Sequence, residues 1–330
     1  MRELNNSHAV LLILAVMTGC ATRHGTTGGA GIDLVLADGQ ARESVTSWTP
    51  ESADLLFTSN REGNSEIYLL HGGSGELENL TNDPGPDNWP VWSPDGQRIA
   101  FQSRRTGNLD IWVMNTDGSG LTQLTDDPEH DYLPAWSPDG TRISFASWRR
   151  EEADADAERT NHIYMMNADG SDQHRFLAQS PNTSAGLIWS PVGSQLALTR
   201  KLEGGSGDVF LLDGAGEVTG RLTEDEAYDG GGQFSPDGSH LAFYSEEGGN
   251  SEIVVMAVDG SDRRSVVEDG QAWYPRWSPD GRWIVYTVAT SDAPDLNLDL
   301  FAVRADGSGE PIPLVTGPGR DSEGSWRPAQ

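Results

Sequence analysis

An aromatic residue followed by Ser, Thr or Arg and then Pro recurs along this chain, at Trp48, Trp92, Trp136, Trp189, Phe234, Trp277 and Trp326. The spacings are 44, 44, 53, 45, 43 and 49 residues. A period of this length constrains the fold more than any local propensity. Each unit is too small to bury its own faces and must stack on its neighbours. Seven markers enclose six units.

The units share one internal pattern, clearest between Trp92 and Trp136. Pro94-Asp95-Gly96 predicts a tight turn: Pro fixes φ, Asp bonds back to the backbone and Gly takes the positive φ. Strands are predicted at 98–103 (RIAFQS), 110–115 (DIWVMN) and 120–125 (GLTQLT), with a second turn at Thr116-Asp117-Gly118-Ser119. The middle strands are apolar at nearly every position, as expected for strands covered on both faces. No stretch has helical periodicity. The prediction is an all-β chain, a six-bladed β-propeller of four-stranded antiparallel blades closed by pairing of the N- and C-terminal strands. Closure removes the exposed edges of a linear array. Either Trp48 or Trp326 can supply the innermost strand of the first blade.

The matched elements are WSPDG, the IAF-type strand, Arg105 to Trp112, and Met-Asn-x-Asp-Gly-Ser. Together they resemble the TolB-like propeller repeat, a relative of the WD-repeat, over Trp48 to Trp326. The resemblance implies a six-bladed propeller. It departs from TolB itself in leaving no room before residue 45 for an N-terminal α/β domain.

Residues 1–19 are expected to be an export signal, with an apolar run of nine from Ala9 to Met17. As a helix this run spans about 13 Å, less than half a bilayer core. Met17-Thr18-Gly19-Cys20 resembles the bacterial lipobox, which implies cleavage before Cys20, lipidation of its thiol and, with Ala21 following, outer-membrane sorting facing the periplasm or the cell surface. Residues 20–44 are expected to be a flexible tether and 45–330 the propeller. Cys20 is the only cysteine, so no intramolecular disulfide is available.

Acidic residues outnumber basic ones 51 to 22, for a net charge of -29, and Lys201 is the only lysine. Such a surface repels phosphate backbones, so no nucleic acid is expected as a partner. The membrane is expected to be engaged only through the lipid anchor.

In propeller topology the loops entering the innermost strands share one rim with the loops between second and third strands. Five residues before the markers stand Asp87, Asp131, Ser184, Asp229, Ala272 and Asp321, interleaved with Trp89, Tyr132, Trp273 and Tyr274. The four carboxylates are expected to ring the channel mouth and focus a negative potential, with the aromatics stacking on a cationic group. The implied ligand is a cation or a basic segment of a protein or peptide partner; a glycan is an alternative. Asp95, Asp139, Asp237 and Asp280 belong to the opposite rim and are assigned to turn chemistry. Loops 149–161 and 289–297 are longer than their counterparts and mark the same rim for binding.

No Gly-x-Ser-x-Gly elbow or HExxH occurs, so a non-enzymatic, monomeric, tethered binding propeller is the leading expectation. The first alternative is a metal-dependent lyase or hydrolase, for which His130, Asp131 and His162 are the candidate ligands. The second is a propeller stabilised by Ca2+. No cofactor is required by any motif.

Overall fold

The structure is a computed structural model that describes residues 54–149, 161–177, 186–202, 206–268, 270–290 and 296–329. The leader, Cys20 and Trp48 lie outside the described residues, as do 150–160 and 291–295 of the two long loops. Every described element is a strand, and the strands group into six four-stranded blades. In blade 2 the order is Asp87–Trp92, Arg98–Ser103, Asp110–Asn115 and Thr122–Gln123, antiparallel throughout. The other blades repeat it. A single parallel bridge, Gly207 to Tyr228, links blade 4 to blade 5.

Blade 1 is built from both ends of the propeller. The innermost strand is Asp321–Trp326, paired antiparallel with Leu55–Ser59. Trp326, rather than Trp48, therefore supplies that strand. A latch follows it: the Arg327 amide donates to Asp54 O (2.8 Å) and its guanidinium meets the Asp54 carboxylate (2.9 Å). The same guanidinium donates to Gly96 O (3.0 Å) and lies over the Trp92 ring, in blade 2.

The apolar middle strands explain why the ring must close. Leu55–Ser59 and Glu66–Leu70 are buried at every position. Alternate residues go to opposite neighbours. Leu56, Ile67 and Leu69 pack on Ile99 and Phe101 of blade 2. Leu55, Phe57 and Tyr68 pack on Val285 and Leu300 of blade 6. Corresponding clusters fill the seams between blades 2 and 3, 3 and 4, 4 and 5, and 5 and 6. A linear row of six blades has five seams; the sixth, between blades 6 and 1, makes the ring.

The marker tryptophans tie these seams by direct bonds. Trp92 Nε1 donates to Ser325 O (3.0 Å), Trp326 Nε1 to Arg276 O (3.3 Å) and Trp277 Nε1 to Gln233 O (3.1 Å). In each case a marker reaches the residue just before the marker of the preceding blade. At these three seams the repeating aromatic fills the gap and satisfies a backbone carbonyl on the far side of it, while Trp189 Nε1 donates instead to Ser144 Oγ (3.0 Å).

The turns are as the sequence predicts. Ser93 Oγ donates to Asp95, which accepts from the Gln97 amide, while Ser93 Oγ accepts from the Arg98 amide. The Ser137/Asp139, Ser235/Asp237 and Ser278/Asp280 turns repeat this. These bonds hold the Asp139 and Asp237 carboxyls down at about 2, the Ser137 and Ser235 hydroxyls contributing most. The Asp of these turns is a structural element.

Removing the buried Trp326 ring by Trp326→Ala should cost about 3–5 kcal/mol and lower the melting temperature of the whole propeller in one transition. Differential scanning calorimetry tests this. A melting temperature equal to that of the wild type would mean that the ring closes elsewhere.

Candidate functional site

Five of the innermost strands, those of blades 1, 2, 3, 5 and 6, carry a bulge near the residue three before the marker. The register with the second strand slips between Asn88 and Val91, Tyr132 and Ala135, Gly230 and Gln233, and Trp273 and Arg276. At each slip one residue is left-handed: Trp89, Leu133, Gly231 and Tyr274, joined by Glu323 in blade 1, with φ between 54° and 61°. Pro90, Pro134 and Pro275 follow, which donate nothing to the ladder and suit the unpaired place. For Trp and Tyr the left-handed conformation is strained. Its consequence is to aim these side chains at the axis.

Burial alternates accordingly. Along Ala272–Trp277 and Asp321–Trp326 the third and fifth residues are part-exposed while their neighbours are buried. Such a pattern, in the strands nearest the axis, marks an axial channel. The residues at the bulges are Trp89, Leu133, Gly231, Tyr274 and Glu323.

Trp89 and Tyr274 meet edge to face at 4.9 Å, although they come from blades 2 and 6. Tyr244 continues the cluster to Tyr274 (5.7 Å) and Tyr228 (6.0 Å). The Gly230-Gly231-Gly232 run makes room for them: a Cβ on Gly231 would lie 2.7 Å from Tyr244 and 3.3 Å from Tyr274. Beneath Trp89, Glu323 Oε2 accepts from the Trp89 amide and from Thr58 Oγ1, both at 2.7 Å. Its own amide donates to Thr287 Oγ1 (3.2 Å). Glu323 therefore joins blades 6, 1 and 2 and fixes the Trp89 backbone. Burial pushes its carboxyl up to about 7, against the pull of Thr58, the Trp89 amide and Arg276. Burial also lowers Arg276 to about 10, partly offset by Glu323.

The four aspartates do not form an open ring of like charges. Asp87, Asp131, Asp229 and Asp321 are all buried. Asp321 is bound by Arg61 (2.8 Å), Asp87 by Arg105 (2.7 Å) and Asp131 by Arg149 (2.5 Å). Each Arg stands two residues after a Ser on the second strand. Arg61 and Arg105 donate from Nε to Ser59 and Ser103 Oγ at 2.8 Å. Each guanidinium lies over two rings of its own blade, Phe57 and Tyr68, Phe101 and Trp112, Phe145 and Tyr164. The expected mutual repulsion at the mouth is thus cancelled at three of the four positions.

The set is complete in blades 1, 2 and 3 and altered in the other three. Blade 6 has Ala272, Val288 and Thr290 in place of Asp, Ser and Arg, and blade 4 has Ser184, Arg200 and Leu202. Blade 5 keeps Asp229 and Ser245 but has Glu247 at the Arg position. Burial of Asp131 and Asp229 outweighs their partners and raises each carboxyl to about 6.

The aromatics divide as well. Trp89 and Tyr274 line the channel, but Tyr132 and Trp273 are buried, with Tyr132 Oη accepting from Trp148 Nε1 at 3.2 Å. They are not available to stack on a ligand as the sequence suggested. His130 is also committed: Nδ1 accepts from the Leu109 amide (3.1 Å) and the ring packs 4.8 Å from Trp148. His162 and Asp131 flank Ser147 on opposite strands. With His130 they form no metal-holding group. Sequence reasoning passed over the arginines, although Ser-x-Arg recurs 11 to 13 residues after three of the markers.

The family model that matches this chain is the TolB beta propeller domain, over residues 46–188 and 158–329. The chain belongs to that family. Among solved structures it is similar to TolB from Acinetobacter baumannii, at 20% identity and a TM-score of 0.71, covering 85% of this chain and 68% of that one. It is also similar to a putative TolB from Agrobacterium tumefaciens, at 20% identity and a TM-score of 0.62, covering 82% and 91%. A curated relative, the uncharacterized protein Atu1656 of Agrobacterium fabrum, is 30% identical over 139 residues. That stretch is 42% of this chain and spans 46% of the relative, less than half its length.

Two predictions follow from this chemistry. Arg105→Ala strands a buried carboxylate and should cost about 3–5 kcal/mol. The triple change of Asp87→Ala, Ser103→Val and Arg105→Thr copies blade 6 and should cost less than the single change. Urea unfolding compares them; a triple variant weaker than the single one would refute the unit. For Asp131, Asp229 and Glu323 the folded pKa lies above the unfolded one, so the folded state binds more protons. Their contribution is full below about pH 4 and is lost as pH rises through 6 to 7. At constant ionic strength the protein should melt higher at pH 5 than at pH 8, and Glu323→Gln should flatten the upper part of that slope.

Proposed function

We propose that this chain is a non-enzymatic binding propeller of the cell envelope, held to a membrane by lipidated Cys20, that engages a protein or peptide partner at the rim bearing the channel mouth. The observation that carries this reading is the pair Trp89 and Tyr274. They are strained, part-exposed and aimed at the axis, while most polar groups around them are satisfied. Strained residues of this kind collect at ligand clamps, and exposed aromatics anchor interfaces. The net charge of -29 selects a basic partner and speeds its approach. In this reading the contact rests on Trp89, Tyr274 and the carboxylate of Glu323. Asp87, Asp131 and Asp321 hold the rim in shape.

Pull-down from a detergent-solubilised envelope tests the site. The double change of Trp89→Ala and Tyr274→Ala should abolish capture of the wild-type partner, and Leu121→Ser, on the opposite rim, should leave it intact. Equal capture by the double variant would move the contact elsewhere. Anchoring is tested separately by fractionation: the wild type should follow membranes and Cys20→Ser should not.

A further inference from the structure

Blade 5 breaks the Asp–Ser–Arg pattern in a way the other blades do not. Asp229 pairs in register with Ser245, as Asp87 does with Ser103. Two residues after Ser245, where blades 1, 2 and 3 have Arg61, Arg105 and Arg149, stands Glu247. Asp229 is 0% exposed, and neither of its carboxylate oxygens has a hydrogen-bond donor. The Ser245 and Thr223 hydroxyls stand close enough to draw its pKa down but do not reach bonding geometry. The nearest cation is Arg263, from the outer edge of the blade. Its Nη1 is 3.9 Å from Asp229 Oδ2 and 3.0 Å from Asp225 Oδ2, and its Nη2 is 3.4 Å from Ser245 Oγ. Those distances define one point on which two carboxylates converge, with a hydroxyl beside it. The Arg263 side chain is 35% exposed, so it can swing out and leave a path from solvent.

We propose that blade 5 holds a hard divalent cation, calcium by its donors, where blades 1, 2 and 3 hold an arginine. The ligands are the Asp229 and Asp225 carboxylates and the Ser245 and Thr223 hydroxyls, completed by water. All the donors are oxygen, which suits Ca2+ and excludes soft metals. Mg2+ is disfavoured because it demands a tighter octahedron than loop carboxylates at two depths provide. Two carboxylates give weak binding, with Kd on the order of 10⁻⁴–10⁻³ M, the range of extracellular calcium modules. The ion compensates the buried Asp229 charge and ties the loop leaving blade 4 to blade 5. The site lies in a seam and is distinct from the channel mouth.

The test uses the full chain and CaCl2 itself. Calorimetric titration should show one saturable site, and the melting temperature should rise by several degrees in about 10 mM CaCl2, more than in MgCl2 of equal strength. Both effects should be lost in Asp229→Asn and kept in Asp126→Asn, which changes net charge equally at an exposed place. Glu247→Arg restores the arginine of the other blades and should make the protein indifferent to calcium. Arg263→Ala should tighten binding by removing the competing cation. Two results overturn the proposal. Equal calcium shifts in the wild type and Asp229→Asn would show only screening of a very acidic surface. A destabilised Arg263→Ala that gains no calcium response would show that Arg263 alone compensates Asp229.

Discussion

Everything in this molecule depends on the two-faced apolar strand. A blade whose middle strands are buried on both sides has no stable existence alone, and a row of such blades ends in two apolar faces. The only arrangement that covers all of them is a ring. The cost of a ring is that the first and last units must find each other across the length of the chain. Here the pairing of Leu55–Ser59 with Asp321–Trp326 meets that cost, with Arg327 fastened to Asp54 and Gly96 behind it. The marker aromatic serves the same end by filling the seams, and Trp92, Trp277 and Trp326 also donate to one carbonyl of the preceding blade.

A second constraint comes from the innermost strands. They crowd the axis, and a regular pleat would leave the wider end of the channel unfilled. In five blades the bulge throws one residue inward, and the identity of that residue decides the channel. Glycine in blade 5 leaves space, into which Tyr244 and Tyr274 pack. Trp89 and Tyr274 fill the side above blade 1, and Glu323 sits beneath as the acceptor that holds Trp89. The site is therefore asymmetric in a fold that is nearly symmetric. Function in a repeat protein has to be sought where the repeats differ.

The period, the turns and the strand types were legible because each is a local property. Pro-Asp-Gly states its own geometry, and an unbroken apolar run states that both faces are covered. The charge of the rim was not legible from the aspartates alone. A buried carboxylate and an exposed one have the same letter, and what separates them is the partner. Arg105 is 18 residues from Asp87 in sequence and 2.7 Å away in space. The signal that could have found it was internal comparison: blade 6 loses its Asp, Ser and Arg together, as paired residues do. Tyr132 and Trp273 were misplaced for a related reason. The bulge puts residues one apart on the channel and in the seam, and no propensity marks which residue turns left-handed.

The neutralised rim changes how the protein's acidity should be understood. Three aspartate–arginine pairs cancel within the blades, so they add little to the field outside. The net charge of -29 is left to other acidic residues, among them the exposed turn aspartates Asp117, Asp169 and Asp306. In about 0.15 M salt these charges are screened beyond about 8 Å. They can raise the rate at which a basic partner arrives, but they cannot fix its position. Position must come from short-range contacts that water and salt do not weaken. At the channel mouth the groups able to supply them are the Trp89 and Tyr274 rings, held by bulged backbone, and the part-buried Glu323 beneath them. Attraction and recognition are in this way assigned to different residues, the first to a surface that tolerates change and the second to a layer in which a single Cβ does not fit.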